Sequence, residues 1–288
     1  MTTTPIETSF ETSGPISLRV EVQQGDITLR ATEGTGTVVR LVPRGKNGRE
    51  LAESFTVESR GDSVVVIAPK ERAMFSFKRD SVDVEVELPA GSTLELKTGS
   101  GDVVGKGRFG ATKAGTGSGD VTFEDLASAD VKSGSGDLSA RAVQGEARAK
   151  TGSGDIQLEA AHGNADLVSG SGDVSVRRAE ADVMAKTGSG DVSIGASVGD
   201  LEIMTGTGDV TLGAVHGGSV RAKTGTGDVS IGVAAGVAAL LDLNTVTGDV
   251  KIDLTEADGP GDSEARTRLS VHSGSGDIKI RRAQVTLA

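Results

Sequence analysis

The sequence predicts an all-β fold: a parallel β-solenoid (β-helix) with coils of about 18 residues, preceded by a less regular β region that caps it. Near-copies of the stretch Lys150–Leu158 (KTGSGDIQL) recur from residue 98 to residue 280. The Asp of each copy returns at steps of 18, 17, 18, 18, 18, 18, 19, 21 and 28 residues. Short runs of alternating apolar and polar residues, typical of strands, flank each Asp. Such a period indicates stacked coils, because one coil alone cannot bury its apolar side chains.

The N-terminal region, residues 1–92, has strand signals without the strict period. Alternating runs occur at Ile16–Val22, Ile27–Leu29 and Val82–Leu88. Gly25–Leu29 is a degenerate copy of the Gly-Asp-apolar-x-apolar core of the repeat. Residues 49–56 are predicted to form a short helix. We expect this region to belong to the same stack and to cap it, because a terminal unit must cover an otherwise open core.

Residues 93–288 form the predicted solenoid, with two short strands in each coil. The first strand follows the Asp, as in Ile156–Leu158, and the second precedes the next corner, as in Ala165–Leu167. Because side chains alternate along a strand, the first and third residues should point inward and the middle one outward. The corner pattern Thr/Ser-Gly-Ser/Thr-Gly-Asp carries two Gly residues, which can take positive φ and let the backbone reverse without a Cβ clash.

The period loosens toward the C-terminus. The apolar run Val233–Leu241 is predicted to be a buried edge or a short helical turn. A polar insertion with Gly and Pro near residues 255–266 is predicted to be a loop. The last repeat, Gly274–Ile280, is followed by Arg281 and Arg282. We expect these cations to protect the open edge of the stack against pairing with another chain.

The composition disfavours several classes of function. The net charge of −11 argues against nucleic acid, whose binding depends on Lys and Arg at phosphates. Tyr and Trp are absent and all six Phe precede residue 124, so the repeats offer no aromatic platform for bases or sugars. Cys is absent, which excludes disulfides and thiolate zinc sites. No apolar stretch approaches the roughly 20 residues of a membrane span.

The same absence of apolar runs bears on location. The first residues, Met1–Glu7, show neither a basic segment nor an apolar run of the kind that directs export. The sequence therefore predicts no direct membrane span and a cytoplasmic location, with association to the cell envelope through a partner as the alternative.

The repeated Asp residues are the first candidate site. This Asp ladder comprises Asp102, Asp120, Asp137, Asp155, Asp173, Asp191, Asp209, Asp228, Asp249 and Asp277. Like charges about 5 Å apart repel, so either each carboxylate accepts backbone N–H bonds within its Gly-rich corner or a cation lies between them. The order Gly-x-Gly-Asp, once per coil, differs from the Gly-Gly-x-Gly-x-Asp of calcium-binding β-rolls. The sequence therefore favours a structural ladder and disfavours calcium.

The outward residues of the first strands are the second candidate site. This candidate contact face comprises Thr122, Ser139, Gln157, Ser175, Ser193, Thr211 and Ser230. The corresponding column of the second strands is charged and mixed: Asp130, Arg148, Asp166, Asp182, Glu202, Arg221 and Asp242. A flat, uncharged column could pack on another protein, whereas Ser and Thr in strands are also typical of a solvated face. Any contact face is therefore expected on the first strands.

No catalytic constellation follows from the sequence. His162, His216 and His272 fall in different repeats, so their spacing predicts neither a metal pair nor a Ser-His-Asp set. The Gly-x-Gly matches at the corners do not open helices and so predict no phosphate site. The sequence predicts a protein that is not an enzyme and that holds no cofactor and no metal.

The β-rich lead-in that ends in Val86–Leu94 (VELPAGSTL), together with the Thr-Gly-Ser-Gly-Asp-Val repeats, resembles the bacterial DUF4097 family. This family is also known as "putative adhesin" or toastrack β-strand repeat proteins, and the resemblance covers nearly the whole chain. It implies a fold similar to single-stranded parallel β-helices. Many members of the family are tied to bacterial envelope-stress systems or attached to membrane segments, so the resemblance also implies a connection with the cell envelope. It implies no catalytic residue.

Two functions of different classes are compatible with these features. The first is a non-enzymatic scaffold whose rigid solenoid surface binds another protein or a second copy of itself. The alternative is a surface adhesin that binds a glycan or a host protein, which requires export. An enzyme of the pectate-lyase-like β-helix type would need a carboxylate cluster in a groove built by long loops, and the repeats have short ones.

Overall fold

The computed structural model describes residues 4–69, 80–254 and 266–283. In these ranges the chain is almost entirely β-strand, and their one helix is the short α1, Gly48–Glu53. The predicted all-β parallel solenoid and the predicted short helix are both confirmed. Contacts divide the chain into two compact units, Met1–Ala140 and Arg141–Ala288. The insertion predicted near residues 255–266 lies outside the described residues except for Arg266.

The first unit stacks its strands in two rows. Its strands are β1 Ile6–Phe10, β2 Ser17–Glu21, β3 Ile27–Thr32, β4 Thr37–Arg44, β5 Thr56–Arg60, β6 Ser63–Ile67, β7 Ser81–Pro89, β8 Thr93–Thr98, β9 Val103–Thr116 and β10 Val121–Ser133, followed by β11 Leu138–Val143 across the boundary. One row runs β6-β2-β8-β9-β10 and the other β1-β4-β7-β3-β9-β10. The long strands β9 and β10 serve both rows.

The N-terminal strands share the register of the stack. Ile27 lies opposite Val103, as the degenerate repeat at Gly25–Leu29 predicts. Farther out the pairing becomes antiparallel, in β4 with β7, β1 with β4 and β5 with β6. The buried rings of Phe109 and Phe123 pack edge to face, with centroids 5.9 Å apart. The role of residues 1–92 as a cap stays a prediction.

The second unit repeats a coil of two strands. Its strands are β12 Ala147–Thr151, β13 Ile156–Ala161, β14 Ala165–Ser169, β15 Val174–Ala179, β16 Val183–Ser189, β17 Val192–Ser197, β18 Leu201–Thr207, β19 Val210–Val215, β20 Gly218–Thr226, β21 Val229–Val233, β22 Ala238–Thr247, β23 Val250–Asp253, β24 Arg266–Ser275 and β25 Ile278–Arg282. Each strand pairs in parallel with its counterpart one coil away. Ile156 and Leu158 are buried and Gln157 is exposed, so the predicted inward and outward alternation is confirmed.

The tight corners need glycine for a reason other than the one predicted. Gly172 does not have a positive φ, whereas Gly208 does, at 153°. What the two share is close approach: a Cβ on Gly172 would lie 2.0 Å from the Gly154 carbonyl oxygen. Positive φ therefore does not explain the glycine at most corners; the coils stack so closely there that no side-chain atom fits between them.

The strand order reverses locally at the C-terminal end. Strand β24 lies between β20 and β22, and β25 lies between β21 and β23. The coil at the edge is therefore β22–β23, not the last repeat, and the predicted protection of that edge by Arg281 and Arg282 is wrong. Arg282 instead donates to the carbonyl oxygens of Ala234 and Val237.

The prediction for the apolar run Val233–Leu241 is also wrong in part. Val233, Ala234 and Val237 are buried. A turn at Ala235–Gly236 lies between Ala234 and Val237, and the run then enters the extended strand β22, where Leu240 is 62% exposed. The run is thus neither a helical turn nor fully buried. Within the described ranges, no helix has the length and apolar character needed to cross a membrane.

Candidate functional site

The candidate contact face is an aligned column in the second unit. Gln157, Ser175, Ser193, Thr211 and Ser230 occupy successive positions of β13, β15, β17, β19 and β21 in unbroken register. Their side chains point outward, because the residues on either side of each are buried. The strands place these side chains about 4.8 Å apart, so the column is a regular array of small polar groups.

Thr122 and Ser139 hold the same kind of position in the first unit. Thr122 is exposed on β10, and the hydroxyl of Ser139 donates to the Thr122 hydroxyl at 3.0 Å. Hydroxyls on neighbouring strands can thus satisfy one another along the column. Whether this surface contacts a partner stays a prediction.

The face is flattest around Ser193, Thr211 and Ser230. The next outward position on β17 and β19 is glycine, Gly195 and Gly213. A Cβ on Gly213 would lie 2.4 Å from the Gly195 carbonyl oxygen, so this position cannot take a side chain without moving a coil. The result is a flat, uncharged surface that could lie against another flat surface with little loss of side-chain freedom.

Charged residues bound this flat surface at both ends of its column. The backbone of Arg177 lies directly against Gly195, and Arg281 lies next to Gly232 in register. Lys279 and Lys251 continue the column beyond Ser230. The uncharged part therefore covers only β17, β19 and β21, with charged groups at its rim.

The opposite face differs from the one predicted. The position between Asp166 and Glu202 in the second-strand column is Met184, and Asp182 precedes the strand. The assignment of Asp182 to this column is therefore wrong, because the 18-residue period leads from Asp166 to Met184, whereas Asp182 lies in the connection before β16. This face alternates half-buried apolar groups with ion pairs such as Lys186 to Glu202, whose charged atoms are 4.0 Å apart.

The Asp ladder is a chain of hydrogen bonds between coils. In the first unit the Asp120 N–H donates to Asp102 Oδ1 and the Asp137 N–H to Asp120 Oδ1, each at 2.9 Å. The second unit repeats this bond along Asp155, Asp173, Asp191, Asp209, Asp228, Asp277 and Asp249, at 2.7–2.8 Å. The sequence predicts bonds within each corner, and the structure has them between successive corners.

A second ladder at the opposite corner was missed. The Asp200 N–H donates to Asp182 Oδ1 at 2.9 Å, and the Ser219 N–H donates to Asp200 Oδ1 at 2.8 Å. Asn164 begins it by accepting from the Asp182 N–H at 3.3 Å. The signal was available, since these residues precede the second strand just as the repeated Asp precedes the first.

Buried hydroxyls form a third ladder that sequence reasoning missed. The Ser169 hydroxyl donates to the Gly154 carbonyl oxygen at 2.9 Å and accepts from the Gly172 N–H at 2.8 Å. Thr187, in register with Ser169, donates to the Gly172 carbonyl oxygen at 2.8 Å. Each hydroxyl thereby satisfies buried backbone groups of its own corner and of the preceding one.

The Asp ladder predicts a modest stability effect. We expect Asp173→Ala to lower the free energy of unfolding by about 1 kcal/mol, because the Asp191 N–H loses its acceptor. Asp173→Asn keeps Oδ1 and should change stability by less than about 0.5 kcal/mol. Urea unfolding measures both. A rise in melting temperature on adding calcium that Asp173→Asn abolishes would show instead that the ladder holds a cation.

An ion-pair cluster lies on the outer face of β2 and β8. Lys97 Nζ lies 3.0 Å from Glu21 Oε1 and 3.3 Å from Glu95 Oε1, and Arg19 Nη2 lies 2.6 Å from Glu21 Oε1. Hydrogen bonds from Lys97 and then Arg19 hold the pKa of Glu21 below its ordinary value. The hydrogen bond to Glu21 raises the pKa of Lys97. Both directions favour the charged forms of Glu21 and Lys97, so the two groups stabilise each other as an ion pair.

A shallow cavity of about 550 Å³ adjoins this cluster above Gly115. Gly115 lies in register between Lys97 and Lys132, and its missing side chain leaves the depression. On one side of it, Lys132 Nζ lies 3.8 Å from Asp130 Oδ1 on the same strand, β10. The lining combines this ion pair and the one between Lys97 and Glu95 with small hydroxyl-bearing and apolar residues such as Ser133 and Ala114.

The His residues lie in separate coils. His162 Nδ1 is 2.7 Å from Glu180 Oε2, and His272 Nε2 is 3.5 Å from the Ser270 hydroxyl. In the ranges that the structure describes, no group of three or more His, Cys, Asp and Glu side chains is arranged to hold a metal ion.

A family comparison accounts for the fold and the repeat. The family model described as Toastrack DUF4097 matches residues 2–196 and 177–287. The chain belongs to the Toastrack DUF4097 family. The resemblance seen in the sequence is thus confirmed, and the two overlapping matches are what a Toastrack chain with a periodic repeat should give.

Solved structures resemble the Toastrack chain at low sequence identity. A "putative adhesin" from Bacteroides fragilis is 15% identical with a TM-score of 0.40, covering 96% of this chain and 97% of that one. A "putative adhesin" from Parabacteroides merdae is 11% identical with a TM-score of 0.44, covering 96% and 95%. A "putative lipid binding protein" from Parabacteroides distasonis is 12% identical with a TM-score of 0.33, covering 96% of both. No curated protein matches the chain.

Proposed function

We propose that this Toastrack protein is a non-enzymatic scaffold that binds another protein through the flat part of the candidate contact face around Ser193, Thr211 and Ser230. The observation that carries the proposal is the combination of flatness and rigidity at that surface. Gly195 and Gly213 keep it free of long side chains. The Asp ladder along Asp191, Asp209 and Asp228 fixes the spacing of its strands.

Rigidity matters because binding orders side chains and loops at a cost of about 0.5–1.5 kcal/mol for each flexible side chain. Ser and Thr have little rotamer freedom to lose, and strands held on both sides have little backbone freedom to lose. A surface of this kind suits a partner that presents its own flat sheet or regular polar array. The charges of Arg177 and Lys279 at the rim favour a partner with acidic groups at matching positions.

The proposed location is the cytoplasm, with association to the envelope through the partner. The second candidate, a surface adhesin, is favoured by the same exposed hydroxyl column, since hydroxyls can also bond to glycans. It requires the chain to be outside the cell. Fractionation of the native cells, with immunodetection of the chain in each fraction, separates the two: a predominantly extracellular chain would favour the adhesin.

Substituting Thr211 tests the face directly. We expect Thr211→Arg to reduce capture of the partner at least about tenfold, because a long charged side chain holds the two flat surfaces apart, and tenfold corresponds to about 1.4 kcal/mol. The measurement is quantitative affinity capture from the native cell with the intact chain as bait.

Met204→Arg is the matched control, because it places the same side chain at a half-buried outward position of β18 on the opposite face. Both variants should keep the melting temperature of the parent. Equal capture by Thr211→Arg and the parent would exclude this face, and loss with Met204→Arg alone would assign binding to the opposite one.

A further inference from the structure

The terminal coil, β22 and β23, leaves apolar core positions uncovered. Val250 and Ile252 are 44% and 51% exposed. Their counterparts in the two preceding coils of the stack, Ile278 and Ile280 on β25 and Val229 and Ile231 on β21, are fully buried. The terminal coil thus has the side chains of an interior coil without the coil that would cover them.

Strand edges of this coil end the hydrogen-bond ladders of the stack. The Val229 N–H donates to the Asp277 carbonyl oxygen, and the Ile278 N–H donates to the Asp249 carbonyl oxygen. One coil farther out, among the described residues, the Val250 N–H has no acceptor and the Asp249 carboxylate, the last of the Asp ladder, has no donor. Solenoids normally need a polar terminal unit, and a long apolar edge strand favours pairing with another strand.

These unpaired backbone groups select the class of partner. A lipid surface could cover the apolar side chains, but open sheet edges do not occur in hydrocarbon because their N–H and C=O groups stay unsatisfied there. A β-strand satisfies the backbone groups and the apolar groups together. The partner is therefore a polypeptide with strands at the same spacing, and a coil of this solenoid has them.

The charges on β23 favour antiparallel pairing with β23 of a second copy. Pairing β23 with its own copy around Ile252 places Ile252 opposite itself and Lys251 opposite Asp253 on both sides. Lys251 lies beside Lys279 in register within the chain, so this outward position carries two neighbouring cations. The partner's Asp253 would lie on the free side of Lys251 and offset that repulsion, since opposite charges on facing strands stabilise a sheet.

We propose that the terminal coil binds the terminal coil of a second copy, with β23 antiparallel to β23 around Ile252, to give a closed two-fold dimer. The two-fold axis of this dimer is perpendicular to the sheets. It therefore pairs β23 with β23 of the second copy and, in the other sheet, β22 with β22 of the second copy. The interface uses the same patch on both subunits, so it closes and does not grow into a filament. This inference concerns a surface separate from the Thr211 face and holds whether or not that face binds a partner.

The absence of cysteine allows a direct test on the full chain. Residues directly opposite in an antiparallel pair have Cα atoms about 4.5–5.5 Å apart, within the range of a disulfide. We expect oxidised Ile252→Cys to run as a single covalent dimer on a non-reducing gel. The control is Val198→Cys, whose position is 48% exposed and lies in the same unit away from the terminal coil. It should stay monomeric on that gel.

Light scattering on the cysteine-free chain gives the oligomeric state independently. The parent should have twice the chain mass, and Ile252→Lys should have the monomer mass with an unchanged melting temperature, because the side chain it replaces is already half exposed. Lys251→Asp should weaken the dimer at least tenfold by placing like charges opposite each other, and Lys251→Asp with Asp253→Lys should restore it.

A monomeric parent at every concentration would overturn the proposal. Equal crosslinking of Ile252→Cys and Val198→Cys would do the same, as would a concentration-dependent series of larger species that indicates head-to-tail growth. Binding of the monomeric parent to anionic vesicles through Ile252 would assign the edge to a membrane and overturn it as well. If Thr211→Arg loses partner capture and keeps the dimer, the two surfaces act separately. The same follows if Ile252→Lys loses the dimer and keeps partner capture.

Discussion

Gly172→Ala is expected to lower the free energy of unfolding by about 3–4 kcal/mol, although it adds only one methyl group. A Cβ at this corner would lie 2.0 Å from the Gly154 carbonyl oxygen and 2.8 Å from Asp155 Oδ1. Real Cβ atoms keep at least about 3 Å from such atoms, so two coils must separate at the corner. That separation strains the bond from the Asp173 N–H to Asp155 Oδ1 and its neighbours in the sheet.

Gly115→Ala is the matched control for this expectation. Gly115 lies in strand β9 and a Cβ there would meet no atom within 4 Å. Its φ is not positive, so alanine should be neutral or should stabilise the chain by about 0.4–1 kcal/mol through the unfolded state. Urea unfolding of both variants measures the difference. Equal stability of the two would mean that the corners yield easily and that close stacking does not explain the repeated glycine.

The alternation of residues along each strand could be predicted from the sequence because it depends on local geometry alone. Side chains alternate with a period of two on any strand, and a fixed repeat length puts equivalent residues in register. That reasoning places Ile156 inward and Gln157 outward correctly. The same reasoning leads from Asp166 to Met184 by one step of 18 residues, so the sequence contained the information needed to avoid the wrong assignment of Asp182.

The order of the last coils could not be predicted in this way. A step of 28 residues from Asp249 to Asp277 reads as an ordinary coil with an insertion. In the structure, strands β24 and β25 lie between the two coils that precede them in the chain. Both arrangements satisfy the same apolar pattern, since Ile278 and Val250 are equivalent in sequence. Only long-range packing decides which of them is covered.

In the candidate site, too, local alternation could be predicted from the sequence and long-range stacking could not. The outward column of Ser193 and its neighbours follows from alternation, but its flatness depends on Gly195 and Gly213, which look like ordinary loop residues in sequence. The role of the corner glycines was misjudged because stacking distance, and not the turn, limits them. Ser169 was missed, although it is two residues after Leu167 and four after Ala165 on the same strand and must therefore point inward as they do.

Ser169→Ala is expected to lower the free energy of unfolding by about 2–4 kcal/mol, because it leaves two buried backbone groups without partners, each worth about 1–3 kcal/mol. The Ser169 side chain is only 2% exposed, so water cannot replace the lost hydroxyl. The Gly154 carbonyl oxygen loses a donor and the Gly172 N–H loses an acceptor. Chemical denaturation followed by circular dichroism measures the loss.

Two controls separate the hydroxyl from the volume of the side chain. Ser169→Thr keeps the hydroxyl and should retain most of the stability, because Thr151 and Thr187 occupy the equivalent places in the adjacent coils. Ser171→Ala removes a hydroxyl from the exposed side of the same corner and should change stability by less than about 0.5 kcal/mol. If Ser169→Ala proved as mild as Ser171→Ala, the ladder of buried hydroxyls would be incidental, and the corners would depend on the Asp ladder and glycine stacking alone.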